Sequence, residues 1–140
     1  MVTKIKPFFH PDWWPYVEPV LSTPEGIKPV EMYSAAVKAK EYIRPGKPKD
    51  LFNVYKLSPK NIKVVIVGQD PYNTGHHAHG YSFSSLHEPP YSLQIILKEV
   101  YRTHFQDKKI GGMGEVFCCG DLRQWAEQGV FLLNTILSVG

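Results

Sequence analysis

Only two cysteines occur among the 140 residues, and they are neighbours, Cys118 and Cys119. Adjacent cysteines rarely pair in a structural disulfide, which argues against a stapled secreted scaffold and leads to the expectation of two buried thiols in a reducing compartment. The sequence also lacks an uncharged apolar run of about 18 residues and any charged-then-apolar leader pattern, so a soluble intracellular protein with no membrane partner is expected. No internal repeat or low-complexity tract is present, which argues against a solenoid. Charge of one sign is barely in excess, with 16 Lys and Arg against 13 Asp and Glu. A net charge of +3 is compatible with a nucleic-acid partner without requiring one.

Prolines and aromatics are plentiful where the chain begins. Pro7, Pro11, Pro15, Pro19, Pro24 and Pro29 punctuate a stretch that also holds Phe8, Phe9, Trp13, Trp14 and Tyr16. This pattern predicts short turns and helical pieces over residues 1–30, anchored by aromatics on the body of a single domain spanning 1–140. Trp13, Trp14 and Trp125 are read as core residues. Met32, Ala35, Ala36, Ala39 and Tyr42 recur at helical spacing between Val30 and Tyr42, and Pro45-Gly46 ends the pattern. Asp50 or a neighbour is placed to cap a short helix through Leu51, Phe52, Val54 and Tyr55, and Ser58-Pro59-Lys60-Asn61 then turns the chain.

The most informative stretch follows. Ile62 to Val67 is an apolar, β-branched run that reads as a strand buried on both faces, and it ends abruptly in Gly68-Gln69-Asp70-Pro71-Tyr72. Ligands of open α/β sheets bind beyond the carboxyl ends of such strands, so Gln69 and Asp70 stand where a site is expected. The irregular segment from Gln69 to about Tyr91 is of a length that compact domains usually reserve for function. Ser92 then reads as the N-cap of a helix through Leu93, Ile95, Ile96, Val100 and Tyr101 to about His104, and Asp107–Gly114 as a surface loop. Asp121 to Gly129 reads as a short capped helix with a C′ glycine, leading into a second apolar strand, Val130 to Asn134.

Asp70 precedes a proline, so its carboxylate is held by a stiff backbone near the sheet's edge; read alone, an Asp in such a place is more often a turn or capping residue. Asn134 closes the second strand with a planar amide able to offer an acceptor and a donor to one edge of a base. His76, His77 and His79 are crowded but lie in a glycine-flanked loop with no Cys or acidic partner at matching spacing, so no metal site is predicted.

Gly68-Gln69-Asp70-Pro71-Tyr72, followed by Ala78-His79-Gly80 and Phe83-Ser84, resembles the active-site segment of family 1 uracil-DNA glycosylases. Gly120-Asp121-Leu122, Trp125-Ala126, Gln128-Gly129-Val130 and Leu132-Leu133-Asn134 resemble a second segment of the same family. The resemblance implies a three-layer α/β/α fold around a central parallel sheet and a cofactor-free, metal-free glycosylase acting as a monomer on uracil-containing DNA. It further implies that Asp70 activates water, Asn134 reads the polar edge of uracil and Phe83 stacks on the flipped base. Tyr72 would exclude thymine, Gln69 would offer its backbone amide and His79 would support the site from behind. Pro89-Pro90-Tyr91-Ser92 resembles a shortened form of the loop that grips the DNA backbone, which assigns Pro90 and Ser92 to phosphate contacts. Asn73 stands where the family has a histidine; it retains a hydrogen-bond donor for the backbone but no charge.

The resemblance covers about Tyr42 to Val139. Family members continue into a further strand and a His-Pro-Ser-Pro loop carrying a leucine, for which this sequence has no counterpart. The expectation is therefore a partial version of a longer glycosylase, with an apolar sheet edge open to a protein partner. Two other readings stay open: a catalytically impaired DNA- or partner-binding module of the same fold, such as a replication accessory subunit, and an unrelated α/β domain binding a phosphate or nucleotide.

Overall fold

A computed structural model describes residues 1–105, 112–117 and 119–140. The expected loop at Asp107–Gly114 lies largely outside the described residues, as does Cys118. Cys119 is exposed, so the expectation of a buried thiol does not hold there.

The N-terminal segment folds as a chain of short helical pieces. They comprise α1 (Val2–Ile5), two 3-10 turns (Lys6–Phe8 and Pro11–Trp13), α2 (Trp14–Leu21) and α3 (Pro24–Lys38). Pro24 occupies the first turn of α3, where a missing N–H costs nothing, and Thr23 Oγ1 accepts the Gly26 N–H at 3.0 Å as N-cap. The helix therefore starts six residues before the predicted Val30. Its inward stripe is Val30 and Tyr33, with Ile27 and Val37 beside them, whereas Met32 and Tyr42 are exposed. Ile5, Phe9, Trp14, Leu21, Leu51 and Phe52 complete this cluster, with Phe8 and Trp13 packed against it, so these aromatics anchor the segment as predicted, whereas Tyr16 is exposed. In place of the expected helix after Asp50 there is a 3-10 turn, Asn53–Lys56.

β1 (Val64–Gly68) and β2 (Val130–Asn134) pair in parallel, with Val64 opposite Val130 and Gly68 opposite Asn134. The crossover between them carries α4 (Tyr91–His104), α5 (Met113–Val116) and α6 (Arg123–Glu127). Because side chains alternate along a strand, the two faces are distinct. Ile66 and Leu132 meet Leu93 and Leu97 of α4 and Leu122 before α6. On the opposite face, Phe131 stacks on Trp13 at 5.3 Å between ring centroids and meets Tyr55 edge-on at 5.8 Å. Helical segments thus lie on both faces of a parallel sheet, over β2 alone on the Trp13 side, in keeping with the expected α/β/α order. The second strand and its C′ glycine, Gly129 at φ +104°, lie at the predicted positions.

Full burial of β1 does not hold. Val65 and Val67 are 56% and 55% exposed, because Trp13 and Tyr55 cover β2, and β1 has a strand neighbour on one side only among the described residues. Among those residues no helix is long and apolar enough to cross a membrane.

Candidate active site

The two strands end at the same level and are laced together beyond it. Thr135 donates its N–H to Gly68 O at 3.0 Å and its hydroxyl to Gln69 O at 2.6 Å, and Ile136 N–H reaches Gln69 O at 3.1 Å. The chain leaving β2 thus fixes the orientation of the peptides leading into Asp70. Pro71 is buried and anchors the turn, while Gln69 and Asp70 remain exposed at the mouth. Gly68 is required by close packing: a Cβ there would collide with Asn134 Oδ1 and lie 2.9 Å from Ser82 Cβ. The Asn134 amide lies over the glycine and makes no hydrogen bond among the described residues.

Phe83 holds a left-handed backbone at φ +60°, a conformation that an aromatic residue adopts only when its surroundings impose it. The restraint is visible on both sides. Ser82 N–H donates to Leu132 O at 2.9 Å, and the Tyr72 hydroxyl donates to Phe83 O at 3.1 Å. The same phenol lies 3.1 Å from Ser92 Oγ. Burial pushes the Tyr72 phenol above its ordinary pKa range, and the Ser92 hydrogen bond opposes that shift. Ser92 is therefore not the N-cap of α4: the helix begins at Tyr91 with Pro90 as its N-cap residue, and the serine hydroxyl is turned to Tyr72.

Behind the phenylalanine, His79 Nε2 pairs with Ser84 Oγ at 2.8 Å, and Ser84 Oγ accepts the Leu122 N–H at 2.8 Å. This buried pair ties the loop 78–84 to the segment before α6. Burial holds the His79 imidazole below its usual pKa, opposed by the nearby Asp121 carboxylate. Asn53 Nδ2 donates to His79 O at 2.8 Å, and Gly80, at φ +88°, gives up its Cβ so that the Asp50 carbonyl can pack against it. His77 Nδ1 is engaged with Ser85 Oγ at 2.7 Å. No cluster of His, Cys, Asp and Glu suited to a metal ion occurs among the described residues.

These elements enclose a cavity of about 340 Å³ lined by Gly68, Gln69, Asp70, Pro71, Tyr72, Asn73, Ala78, Gly80, Tyr81, Phe83, Ser92 and Asn134. Seven of the predicted site residues meet there: Gln69, Asp70, Tyr72, Asn73, Phe83, Ser92 and Asn134. His79 lies behind the wall, and Pro90 lies outside it with its carbonyl accepting the Gln94 N–H at 2.9 Å. Sequence reasoning missed Thr135, which positions Gln69, and Tyr42 and Arg44. Tyr42 donates its hydroxyl to Asn73 O, and Arg44 Nε donates to Gly75 O at 2.7 Å. Nothing in local spacing signals partners 31 residues apart.

A cavity at the carboxyl ends of parallel strands, floored by a glycine and offering a ring, a free amide and a carboxylate, defines an α/β domain with a base-sized polar pocket. The uracil DNA glycosylase superfamily model matches residues 55–139, more than half of the sequence, and the chain belongs to that family. It is 35% identical over 139 residues to a Levilactobacillus brevis uracil-DNA glycosylase, covering 96% of this chain and 54% of that protein. With a Borreliella burgdorferi uracil-DNA glycosylase it shares 47% identity over 95 residues, 66% of this chain and 39% of the relative. The crystal structure of mimivirus uracil-DNA glycosylase superposes with a TM-score of 0.77 at 28% identity, covering 96% of this chain and 49% of that one. The chain thus spans about half the length of the curated relatives it matches.

Proposed function

We propose that this chain carries the base-binding pocket and water-orienting carboxylate of a uracil-DNA glycosylase, which hydrolyses the bond between uracil and deoxyribose in DNA. The observation that supports this reading is the meeting of Gln69, Asp70, Tyr72, Phe83 and Asn134 around one cavity, in a chain of this family. The target bond is inaccessible in a stacked duplex, so the nucleotide must be turned out into the cavity. There the Phe83 ring stacks on the base, and the free Asn134 amide pairs with its polar edge. Tyr72, fixed by Phe83 O and Ser92, fills the space that a 5-methyl group would need.

In the reaction the C1′–N1 bond breaks, its electron pair leaves with uracil, and positive charge develops on the sugar. Asp70 stabilises that charge and takes the proton of the water whose oxygen bonds to C1′. Backbone amides at Gln69 offer a hydrogen bond to the charge gathering on the uracil oxygen. Asn73 and Ser92 at the rim and Pro90 beside it contact the flanking DNA backbone.

The test is abasic-site formation on a uracil-containing oligonucleotide in the presence of chelator. Cleavage by the parent that falls by about two to four orders of magnitude in Asp70→Asn, with binding retained, is expected. Equal cleavage by parent and variant would overturn the role of Asp70.

A further inference from the structure

Beside the pocket, residues 42–50 form an arch pinned at both ends to its wall. At one end Tyr42 donates its hydroxyl to Asn73 O and Arg44 Nε donates to Gly75 O at 2.7 Å, with the Arg44 guanidinium stacked 4.2 Å above the Tyr42 ring. At the other end the Asp50 carbonyl packs where a Gly80 side chain would stand. Asn73 and Gly80 both line the cavity, so the arch runs along its rim.

The arch is also one-sidedly charged. It carries Arg44, Lys47 and Lys49, and Lys47 and Lys49 are exposed with no side-chain partner among the described residues. Its own acid, Asp50, is turned inward, where Oδ1 accepts from Asn53 Nδ2 at 3.2 Å. Exposed, unpaired cations on a segment rigidly fixed beside a base pocket match the regular negative charge of a nucleic-acid backbone, which is bound through counterion release.

We infer that the arch is a sequence-independent phosphate-contact strip, in which Lys47 and Lys49 hold the DNA strand flanking the nucleotide in the pocket. This rests on the reading of the pocket as a uracil site, and it extends the DNA footprint from the loop at Asn73 onto a surface that no site motif of the sequence marks.

The experiment measures binding of two short single-stranded oligonucleotides as a function of salt. One carries a single 2′-fluoro-deoxyuridine, which resists hydrolysis, and the other carries thymidine in its place. Three variants are compared with the parent: Lys47→Gln/Lys49→Gln; Lys4→Gln/Lys28→Gln, which removes the same charge from exposed positions outside the arch; and Asn134→Ala. For the arch pair, the slope of log K against log salt is expected to become shallower by about 1.4, or 0.7 for each lysine, equally on both oligonucleotides. The remote pair should leave the slope unchanged.

An unchanged slope in the arch pair, an equal change in the remote pair, or no measurable binding of either oligonucleotide at low salt overturns the inference. The uracil reading fails separately: the parent would then bind both oligonucleotides alike, and Asn134→Ala would alter neither, while the arch pair would still report on the strip.

Discussion

The Asn134 amide occupies the space above Gly68 that a side chain at position 68 would fill, and the two residues are partners in the sheet register. A backbone without a Cβ at the end of one strand is therefore the seat for the amide at the end of the other. Gly68→Ala should displace the amide and press on Ser82, at a cost of about 1–3 kcal/mol for overpacking. The melting temperature should fall modestly while preference for uracil over thymine oligonucleotides is lost. A variant that keeps the preference would show that Asn134 does not need this seat.

The proposed function gives Tyr72 two tasks that substitutions can separate. Tyr72→Phe keeps the ring but deletes the hydroxyl that meets Phe83 O and Ser92 Oγ, loosening the left-handed turn at Phe83. Stability should fall by about 1 kcal/mol, and thymine should still be excluded. Tyr72→Ala opens the cavity and should admit thymine. Abasic-site assays on paired uracil and thymine substrates, together with urea denaturation, distinguish the two tasks.

Ser82 and Ser84 are both fully buried and flank Phe83, yet they should respond in opposite ways to alanine. Ser82 Oγ has no hydrogen-bond partner among the described residues, so Ser82→Ala removes an unsatisfied group and should raise stability by about 1 kcal/mol. Ser84 Oγ serves both His79 Nε2 and the Leu122 N–H. Ser84→Ala orphans both partners and should cost roughly 1–3 kcal/mol for each. Thermal melts of the two single variants check the contrast.

How far the sequence reveals this architecture depends on whether the relevant contact is local. β2 could be read to its ends because a C′ glycine precedes it and an amide closes it. The face of α3 could not, since Met32–Ala35–Ala39 and Val30–Tyr33–Val37 obey the same spacing two residues apart, and only the tertiary neighbours choose between them. A continuous apolar run at β1 implied cover on both faces, a property of what packs against a strand and not of the strand itself. Ser92 has the look of a cap because it is polar and precedes an apolar run, but its hydroxyl is drawn to Tyr72, 20 residues earlier. Asp70, Tyr72, Phe83 and Asn134 were legible through two sequence segments. Thr135, Tyr42 and Arg44 act by reaching backbone carbonyls far away in sequence, which leaves no pattern to read.

The His79–Ser84 pair makes stability depend on pH in a definite direction. Burial depresses the folded-state pKa of His79 below the usual value of 6.5, so the folded chain refuses a proton that the unfolded chain accepts. Its contribution is fully present above about pH 6.5 and is lost progressively as pH falls from there through the folded-state pKa. Protonation would also put a hydrogen on both ring nitrogens, so that Nε2 could only donate to the hydroxyl that already accepts from Leu122. Five other histidines are present, so the informative quantity is a difference between proteins. The drop in melting temperature from about pH 7.5 to about pH 5.5 should be smaller in His79→Gln than in the parent, although the variant is less stable at the higher pH. An identical drop in both would mean that His79 is as readily protonated in the folded chain as in the unfolded one, and that the wall behind Phe83 is open to water.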